Sequence, residues 1–498
     1  MNVNPITRLD YPDPDVIRVE DTYYMVSTTM HFMPGCEILQ SFDLVHWEHA
    51  TYVYETLDHT DAQQLKSGQN IYGQGMWAAS LRYHEGRFYI CFVANDTRKT
   101  YLYTSEKIDG PWKKQLIEGF YHDGSLLFDE DGRNYIVYGN DEIWITELNE
   151  DLTAPKKDGL HRLLVSDHKN PELGYEGSHI QKINGYYYIF LIHSLRDRWM
   201  RTEACFYSDS LEGEFTGGDV LCDDRGYCGQ GVAQGGIVDA PDGKWYAMLF
   251  QDSGAVGRIP ILLPVTWKDH FPVFGQNGHV PEEIEVHSTR PGYIYQPLVG
   301  SDDFCNGLLP RWQFNHDPDP RYYHLDALQG TYTITTREVC TELTQAVNTL
   351  TQRMSYPSCA AEVTVDASAL KEGDVAGLCA LQSCYAAVGI TKHHGKYEVL
   401  MLDKKEDGIL DMTEGTVVES HQMDFRLEAD FCNMKDEARC YYRVNKGDWL
   451  PIGTVHKLYF KLDHFTGCRF GLFCYAAEET GGSACFRDFK YYDVDEIS

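Results

Sequence analysis

A strand–turn–strand unit that recurs five times in the first 290 residues restricts the fold of this chain more than any other feature. Each copy has a β-forming segment, a tight turn with glycine or aspartate, and a second segment that opens on aromatic residues, which is a strong hairpin signal. The aligned tyrosines of the second segments are 46 to 65 residues apart: Tyr24, Tyr89, Tyr135, Tyr188 and Tyr246. Because a propeller blade is a four-stranded sheet of about this length, the repeat predicts a five-bladed β-propeller. An all-β sandwich with accidental internal similarity is the alternative.

The pattern changes near Gly300. Residues 301–320 are rich in Asp, Pro and Asn, which is typical of a linker or an opening loop. Short alternating segments follow, and they predict antiparallel strands of a β-sandwich: YTITTREV, AAEVTVDA, AAVGITK, YEVLML, FRLEADF, CYYRVN, LYFKLD, RFGLFCYA and FRDFKYYDV. The predicted architecture is therefore all-β, with a propeller over residues 1–297 and a sandwich over residues 298–498.

The charge balance limits the partners of the chain. Its 75 acidic and 43 basic residues give a formal net charge of −32. Nucleic acids and anionic membranes require a basic surface, so neither is an expected partner, whereas a sugar or another neutral ligand is. No run of about 18 apolar residues suggests a transmembrane helix.

The expected location is the cytoplasm. The N-terminal residues MNVNPITRLDYPDPDV lack the basic start and the apolar block of a secretory leader. The 15 cysteines form no C-x-x-C motif, and many lie in apolar strand patterns. Buried free thiols in a reducing compartment are the expected state of these residues.

Three carboxylates fall at equivalent places in the repeat. The first strand of each blade lines the central channel, so the residue 11 or 12 positions before each aligned tyrosine is expected at one mouth of it. Those residues are Asp13, Trp77, Asp123, Glu176 and Gln234. Glycoside hydrolysis uses one carboxylic acid to protonate the leaving oxygen and one carboxylate to activate water or attack carbon. A third can raise the pKa of the acid through like-charge repulsion. Taken singly, each aspartate also fits a turn or strand-end role.

These segments resemble glycoside hydrolase family 43, which contains β-xylosidases and α-L-arabinofuranosidases. The resemblance covers nearly the whole chain and includes YPDPDVIRVEDTYYMVST, SFDLVHW, GMWAASLRYHEGRFYI, HDGSLLFDEDGRNYIVYG, YEGSHIQKINGYYYIF and GGIVDAPDGKWYAMLFQDSGAVGRIPILLPVTW. The tail FGLFCYAAEETGGSACFRDFKYY looks like the accessory, concanavalin-like β-sandwich of the xylosidase branch.

The resemblance implies an inverting mechanism and a set of roles. Asp13 matches the general base, Glu176 the general acid, and Asp123 the carboxylate that tunes the pKa of the acid and orients it. Base and acid of an inverting enzyme are about 6.5–9.5 Å apart to admit the water. Residues matched to the substrate pocket are Trp77, Arg258, Phe32 and Gln234.

The metal content is left open. Many relatives have a histidine before the Gln-Gly-Gly of blade five that helps to hold a central calcium ion through waters, and this chain has Ala233 there. Gln234 or a neighbouring side chain could substitute. Asp302 and Asp303 could supply oxygen ligands for calcium, although an exposed acidic turn is favoured there, and Asp129 in DEDG is interpreted as a hairpin turn. No cofactor is expected for the chemistry.

The resemblance implies an exo-acting xylan 1,4-β-xylosidase that releases xylose from xylooligosaccharides, with α-L-arabinofuranosidase activity beside it. A dedicated α-L-arabinofuranosidase that debranches arabinoxylan is the alternative. A non-catalytic carbohydrate-binding propeller would predict loss of a carboxylate, and none is lost. A phosphorolytic enzyme would need a basic pocket beyond Arg258. Homo-oligomerisation is left open.

Overall fold

The computed structural model describes residues 2–493, and the fold of this part of the chain is all-β, as predicted. Its first half contains five antiparallel sheets, one for each predicted repeat. In chain order, the strands of blades 1 to 5 are Asp15–Val19, Thr22–Val26, Gly35–Ser41 and Glu48–Tyr54; Met76–His84, Arg87–Ala94, Lys99–Ser105 and Lys113–Ile117; Ser125–Phe128, Asn134–Asn140, Glu142–Leu148 and His161–Ser166; Glu176–Ile183, Tyr186–Ser194, Arg201–Ser208 and Thr216–Leu221; and Val232–Ala233 with Ile237–Asp239, Trp245–Asp252, Arg258–Lys268 and Phe271–Phe274.

The first strand of each blade is the edge strand that faces the channel, and it pairs with the strand that carries the aligned tyrosine. Apolar side chains pack between neighbouring blades. Between blades 1 and 2, for example, Val26 and Ile38 share a buried cluster with Leu81 and Ile90. Burial of such clusters stabilises the ring by about 25 cal/mol for each Å² removed from water.

A largely buried arginine joins four of the five blades inside the channel. Arg82 of blade 2 donates hydrogen bonds to Asp15 of blade 1 at 2.7 Å, to Ser125 of blade 3 at 2.7 Å and to the Ile180 carbonyl of blade 4 at 3.2 Å. The second oxygen of Asp15 lies 3.1 Å from Nδ1 of His179 in blade 4. The channel is therefore closed by polar contacts rather than open from end to end.

The second half is a sandwich of two sheets around an apolar core that includes Leu378, Val388, Phe425 and Phe470. In pairing order, the strands of the first sheet are Leu410–Met412, Lys396–Lys404, Tyr385–His393, Val375–Leu381, Arg469–Tyr475, Leu350–Arg353, Gln313–Asn315 and Phe32–Met33. Thr416–Val418 also pairs with Lys396–Lys404 in this sheet. The strands of the second sheet are, in pairing order, Tyr323–Asp326, Thr331–Thr335, Ser483–Asp493, Ser358–Asp366, Gln422–Asp430, Glu437–Val444 and Leu450–Lys457.

The remaining elements are short. Three 3₁₀ turns occur within residues 2–493, at Lys66–Gly68, Leu343–Gln345 and Cys432–Met434. Asn2–Val3 pairs with Glu283–Ile284. No helix in the described chain has the length and apolar character needed to cross a membrane. The extreme ends of the two predicted domains, residue 1 and residues 494–498, lie outside the described residues.

One predicted strand is wrong. LYFKLD, residues 458–463, is not a strand but the start of a loop that runs from Leu458 to Cys468. The amide side chain of Gln382 takes the place of a strand neighbour, because it donates to the Tyr459 carbonyl at 2.8 Å and accepts from the Tyr459 N–H at 2.9 Å. The loop then leaves the sandwich and contacts the propeller.

The two halves share a sheet edge. Phe32–Met33, from the propeller half of the sequence, pairs with Gln313–Asn315 of the sandwich. The loop that follows Leu458 reaches the propeller at Gly73, where a Cβ atom would lie 1.8 Å from the Asp463 carbonyl oxygen, so only glycine permits this approach. The sandwich is thereby fixed against the same end of the propeller at which the first strands begin.

Candidate active site

The three predicted carboxylates lie at this end, each just before or at the start of a first strand. Asp13 and Asp123 have φ values of 53° and 48°, in the left-handed region that aspartate tolerates better than most residues. In blade 4 a β-bulge follows Glu176, and in blade 2 a bulge includes Trp77. Bulges re-aim side chains at the rims of sheets, and here they lie beside the candidate site.

Asp13 is the most deeply buried of the three, with 3% of its side chain exposed. Its Oδ1 accepts a hydrogen bond from Arg258 Nη1 at 2.5 Å, and its Oδ2 accepts one from Thr28 Oγ1 at 2.5 Å. Asp252 holds Arg258 from the other side, with its Oδ1 at 3.3 Å from Nε. The carboxylate is thus fixed in orientation at the bottom of the site.

Asp123 and Glu176 share a histidine. His122 Nε2 lies 3.3 Å from Glu176 Oε2 and 3.5 Å from Asp123 Oδ2. Glu176 Oε2 also accepts a hydrogen bond from Asn140 at 2.7 Å. The side chains of Asp123 and Glu176 are 7% and 19% exposed, so Glu176 lies nearest to the mouth of the site.

The protonation states of these groups are coupled. Burial raises the pKa of Asp123 to about 6. Burial would also raise the pKa of Glu176, but the hydrogen bond and charge of His122 outweigh it and lower that pKa. Burial lowers the pKa of His122, but the charge of Asp123, the hydrogen bond to Glu176 and the charges of Glu176 and Asp13 raise it to about 9. Asp123 is predicted to raise the pKa of Glu176, but that pKa is lowered instead because His122 contacts both carboxyl groups.

Gln234 packs over the glycine that follows Glu176. Its φ is 60°, and its backbone N–H donates to Glu203 Oε2 at 2.7 Å. Gly177 donates its N–H to Asp123 Oδ2 at 2.9 Å. A Cβ atom on Gly177 would lie 2.7 Å from Gln234 Cγ, and its φ is 65°, so the turn beside Glu176 requires glycine.

Two aromatic rings and an arginine complete the wall. The Trp77 ring is edge-on to both His122 and Phe465, with centroids 6.2 and 5.2 Å apart. Phe465 belongs to the loop from the sandwich, and its ring lies 3.8 Å from the guanidinium carbon of Arg258. Trp77, Arg258 and the three carboxylates therefore come together as predicted residues of one site, with Phe465 added by the second domain.

Phe32 lies apart from this group. Its side chain is 1% exposed, and the guanidinium carbon of Arg469 is 3.4 Å from its ring. It packs at 4.3 Å against His31 in the contact between propeller and sandwich. Its predicted contact with substrate stays a prediction.

The residues considered for calcium have other partners. Ala233 packs in an apolar cluster with Ile192 and Phe250. Asp302 accepts hydrogen bonds from the Phe304 N–H and from Trp312 Nε1 at 2.8 Å each, and it is buried rather than in an exposed turn. Asp303 accepts a hydrogen bond from the Cys305 N–H in a turn. Asp129, in its hairpin turn, accepts hydrogen bonds from Lys182 and Tyr187.

Two groups of possible ligand atoms lie close together within residues 2–493. One is Glu372, His393 and His394 at the sandwich surface. The other is His122 with Asp123 and Glu176, where the raised pKa of the histidine makes the imidazolium itself the cation between the carboxylates. The two carboxylate oxygens of Asp15, in the channel, already contact Arg82 and His179.

Four contributors were missed by the sequence analysis: His122, Asn140, Arg201 and Phe465. His122 adjoins Asp123 in the sequence, so its position beside a candidate residue was a usable signal. Arg201 is 2% exposed and places its Nε 2.7 Å from Asp252 Oδ2, and no pattern marks it. Phe465 follows the segment LYFKLD, which alternates like a strand, by two residues.

The arrangement can perform acid–base chemistry on a bound sugar. A carboxylate fixed by arginine and threonine lies at the bottom, a second carboxyl group lies at the mouth, and aromatic rings form the wall between them. Sugar rings stack on aromatic faces, and paired carboxyl groups activate water and protonate a leaving oxygen.

Comparison with known proteins gives consistent matches for both domains. The family model for glycosyl hydrolases family 43 matches residues 3–272. The model for the beta-xylosidase C-terminal concanavalin A-like domain matches residues 301–492. Together the two matches cover almost all of the described chain.

Three similar proteins illustrate the range of relatives. A beta-xylosidase of Formosa agariphila is 26% identical over 99% of this chain and 89% of its own length. A xylosidase/arabinosidase of Butyrivibrio fibrisolvens is 24% identical over 99% of both chains. The solved structure of a bifunctional GH43-CE protein of Bacteroides eggerthii has a TM-score of 0.91 and 42% identity over 99% of this chain, which spans 63% of that longer chain.

Proposed function

The chain belongs to glycosyl hydrolase family 43, and on that premise we propose that it is an exo-acting xylan 1,4-β-xylosidase of the inverting type. Asp13 is the general base, Glu176 the general acid, and Asp123 the carboxyl group that orients the acid. Trp77 and Arg258 form the wall and floor that hold the terminal sugar.

The observation that best supports an exo-acting enzyme is the increase in solvent exposure from one carboxyl group to the next. The side chain of Asp13 is 3% exposed, that of Asp123 is 7%, and that of Glu176 is 19%. A terminal sugar whose anomeric carbon faces Asp13 would leave its aglycone at Glu176, toward solvent. Phe465 of the sandwich adds a wall beside Arg258. A site with this depth order favours removal of one residue from a chain end over internal cleavage.

The reaction needs two proton transfers. Asp13 accepts a proton from water as the water oxygen bonds to the anomeric carbon. Glu176 gives a proton to the glycosidic oxygen as its bond to that carbon breaks. The hydrogen bonds from Arg258 and Thr28 aim Asp13 and leave it little freedom to reorient.

The substrate class is xylooligosaccharides, with arabinoxylan fragments as a second class. Relatives that align over almost the full chain carry the names beta-xylosidase and xylosidase/arabinosidase. Xylopyranose and arabinofuranose present similar hydroxyl arrangements, which supports a pocket that accepts both. A dedicated α-L-arabinofuranosidase is the second candidate, and it would use the same three carboxyl groups.

The test is hydrolysis of xylobiose beside an arabinofuranosyl-substituted xylooligosaccharide, with products separated by chromatography. Release of xylose from xylobiose is the expected result, with the α-anomer formed first when followed by NMR because the mechanism inverts. Release of arabinose alone would move the protein to the debranching class. Hydrolysis of neither substrate would contradict the proposal.

The chemistry proceeds without a resident metal. Asp15, the carboxylate inside the channel, is already neutralised by the Arg82 guanidinium, and Ala233 supplies no donor atom. The residues present therefore do not fit a calcium ion held through this position. We expect kcat on xylobiose to stay unchanged after dialysis against EDTA, and a loss reversed by calcium would contradict this.

The cytoplasmic location stays a prediction, and self-association of the chain is left open. All 15 cysteines are free thiols, nine of them buried, which supports function in a reducing compartment on imported oligosaccharides. Detection of the native protein outside the cell would contradict this. Analytical ultracentrifugation at several concentrations measures whether the chain associates with itself.

A further inference from the structure

His122 occupies a position that the acid–base scheme above does not use. It lies in the turn before the first strand of blade 3, where its carbonyl accepts a hydrogen bond from the Gly139 N–H at 3.1 Å. Its Nε2 is the atom shared between Glu176, at 3.3 Å, and Asp123, at 3.5 Å. The ring is edge-on to Trp77 and 22% exposed, so it lines the pocket.

We propose that His122 is a positioning residue for the general acid, which stores on Nε2 the proton that Glu176 delivers to the leaving group. This inference rests on the function proposed above. It adds a residue to the acid–base machinery and predicts the pH range over which the enzyme works.

The charges around His122 determine where the proton lies before substrate binds. Asp123 and Glu176 contact the ring, Asp13 faces it from blade 1, and Arg201 and Arg258 face Glu176 from blades 4 and 5. Three carboxyl groups near one imidazole favour its charged form, and the pKa of His122 is raised to about 9 in spite of burial. The pKa of Glu176 is lowered. At neutral pH the free site therefore holds imidazolium beside carboxylate.

A general acid must carry its proton when the glycosidic bond breaks, so this charge state has to change on binding. A sugar in the pocket displaces water from around the ion pair. A buried ion pair loses more solvation than the neutral pair of the same composition, so removal of water shifts the proton from imidazole to carboxyl group. The 3.3 Å contact between Nε2 and Oε2 is the path of this transfer.

The proton balance is complete. The Nε2–H bond breaks and an Oε2–H bond forms on Glu176. That proton passes to the glycosidic oxygen as the bond between carbon and oxygen breaks, while Asp13 takes a proton from the attacking water. After products leave, Asp13 loses its proton to solvent and His122 regains one, which restores the starting state.

The experiment compares pH profiles of kcat/KM for wild type and His122→Asn. Asparagine keeps a hydrogen-bond donor beside Glu176 but cannot store a proton. With xylobiose as substrate, we expect the alkaline limb of wild type above about pH 8 and that of the variant at least about one pH unit lower. At a pH well above both limbs this corresponds to a loss at least about tenfold greater than at pH 5.5. With 2,4-dinitrophenyl β-xyloside, whose leaving group needs little protonation, the loss is expected to be small at both pH values.

The matched control is His46→Asn. His46 also contacts a carboxylate, with Nδ1 at 2.8 Å from Asp43, but it lies on the opposite face of the propeller and is largely exposed. Its profile should equal that of wild type. Equal alkaline limbs for His122→Asn and wild type, or equal losses on both substrates, would overturn the proposal.

Two further results keep the test decisive. If His122→Asn fails to fold, as judged by thermal melting, the wild-type profile alone still decides, because an alkaline limb near pH 6 on xylobiose would overturn the proposal. If wild type hydrolyses neither xylobiose nor the aryl xyloside, the function itself is wrong. An active wild type with an unshifted variant refutes only the role of His122.

Discussion

A buried cluster of three histidines should make the contact between the two domains sensitive to acid. The three-histidine cluster comprises His31 of the propeller and His316 and His464 of the sandwich, with exposures of 0%, 0% and 2%. The ring centroid of His31 lies 4.9 Å from that of His316 and 5.3 Å from that of His464. Because Phe465 follows His464 in the sequence and contacts Trp77 and Arg258, the cluster connects directly to the wall of the pocket.

The hydrogen bonds of the cluster fit neutral rings. The Ile71 N–H donates to His316 Nε2 at 2.9 Å, so that nitrogen must keep its lone pair. Ser383 Oγ lies 2.6 Å from His464 Nδ1. Neither ring nitrogen of His31 meets a partner at hydrogen-bonding geometry among residues 2–493. A proton on any of these rings would add a buried charge that the surrounding groups do not neutralise.

The pKa values follow from this environment. Burial, with the neighbouring histidines and Arg469, lowers the pKa of His31 well below its ordinary value of 6.5. Burial and the charge of His464 lower the pKa of His316 to about 3. Burial lowers that of His464 to about 4, although Asp463 opposes the shift and Arg469 adds to it. All three are neutral in the folded protein at neutral pH and down to about pH 5.

The sign of the effect comes from comparison with the unfolded chain. Unfolded histidines take up protons as pH falls through about 6.5, and the folded cluster does not, so acid favours the unfolded state. At pH 5 each histidine that stays neutral in the fold lowers the free energy of unfolding by RT ln(1 + 10^1.5), about 2 kcal/mol. The three together lower it by about 6 kcal/mol between pH 7.5 and pH 5.

His31→Phe tests this magnitude. The phenyl ring keeps an aromatic residue in the cluster, and no hydrogen bond of normal geometry to residues 2–493 is lost. The free energy of unfolding is measured by urea titration of the full chain at pH 7.5 and pH 5, with tryptophan fluorescence and xylosidase activity as separate probes. The difference between the two pH values should shrink by about 2 kcal/mol relative to wild type. A changed value at pH 7.5 from the larger ring does not affect this difference.

The control is His46→Phe at the exposed surface, which should leave the difference at its wild-type value. Activity should be lost at lower urea concentration than fluorescence at pH 5, because opening of the domain contact removes Phe465 from the pocket. The reasoning is refuted if His31→Phe retains the full wild-type difference. It is also refuted if the exposed control lowers that difference as much as the cluster variant does.

Three further outcomes are expected. Asp13→Asn should lower kcat by about 10²- to 10⁴-fold on xylobiose and on activated aryl xylosides alike, because water activation is needed for both; a loss confined to xylobiose would contradict the role of Asp13 as base. Phe465→Ala should raise KM for xylobiose about tenfold, since the ring on Arg258 is lost, and steady-state kinetics with an unchanged KM would argue against its place in the pocket. Arg82→Met should lower the free energy of unfolding by about 3–5 kcal/mol, because it leaves Asp15 buried without its cation; a urea-unfolding loss below about 1 kcal/mol would contradict the channel role.

The propeller could be predicted because its local signals agree with one another. Each hairpin turn has the residues that the turn requires, and each second strand opens on the same aromatic position. Equivalent positions in equivalent blades then had to meet at one end of the channel. The geometry of repetition placed Asp13, Asp123 and Glu176 together without any knowledge of their contacts.

The residues that were missed depend on tertiary contacts that leave no periodic trace. LYFKLD alternates between apolar and polar residues, so it has the pattern of a strand. The side-chain amide of Gln382 satisfies the backbone of Tyr459 in place of a neighbouring strand, and this frees the rest of the loop to reach the propeller. The direction of the pKa shift at Glu176 was missed for a similar reason, since it depends on the 3.3 Å contact to His122.

The second domain is part of the pocket rather than an appendage, and one buried carboxylate shows why. Asp10 accepts hydrogen bonds from the Arg258 N–H and from the Gly467 N–H, each at 2.7 Å. The first N–H belongs to the strand that aims Arg258 at Asp13, and the second belongs to the loop that carries Phe465. A Cβ atom on Gly257 would lie 2.1 Å from Asp10 Oδ1, so the junction tolerates no added atom there. Displacement of the loop would remove the Gly467 N–H from Asp10 and the Phe465 ring from Arg258, so contact with the sandwich helps to position Arg258 and, through it, Asp13.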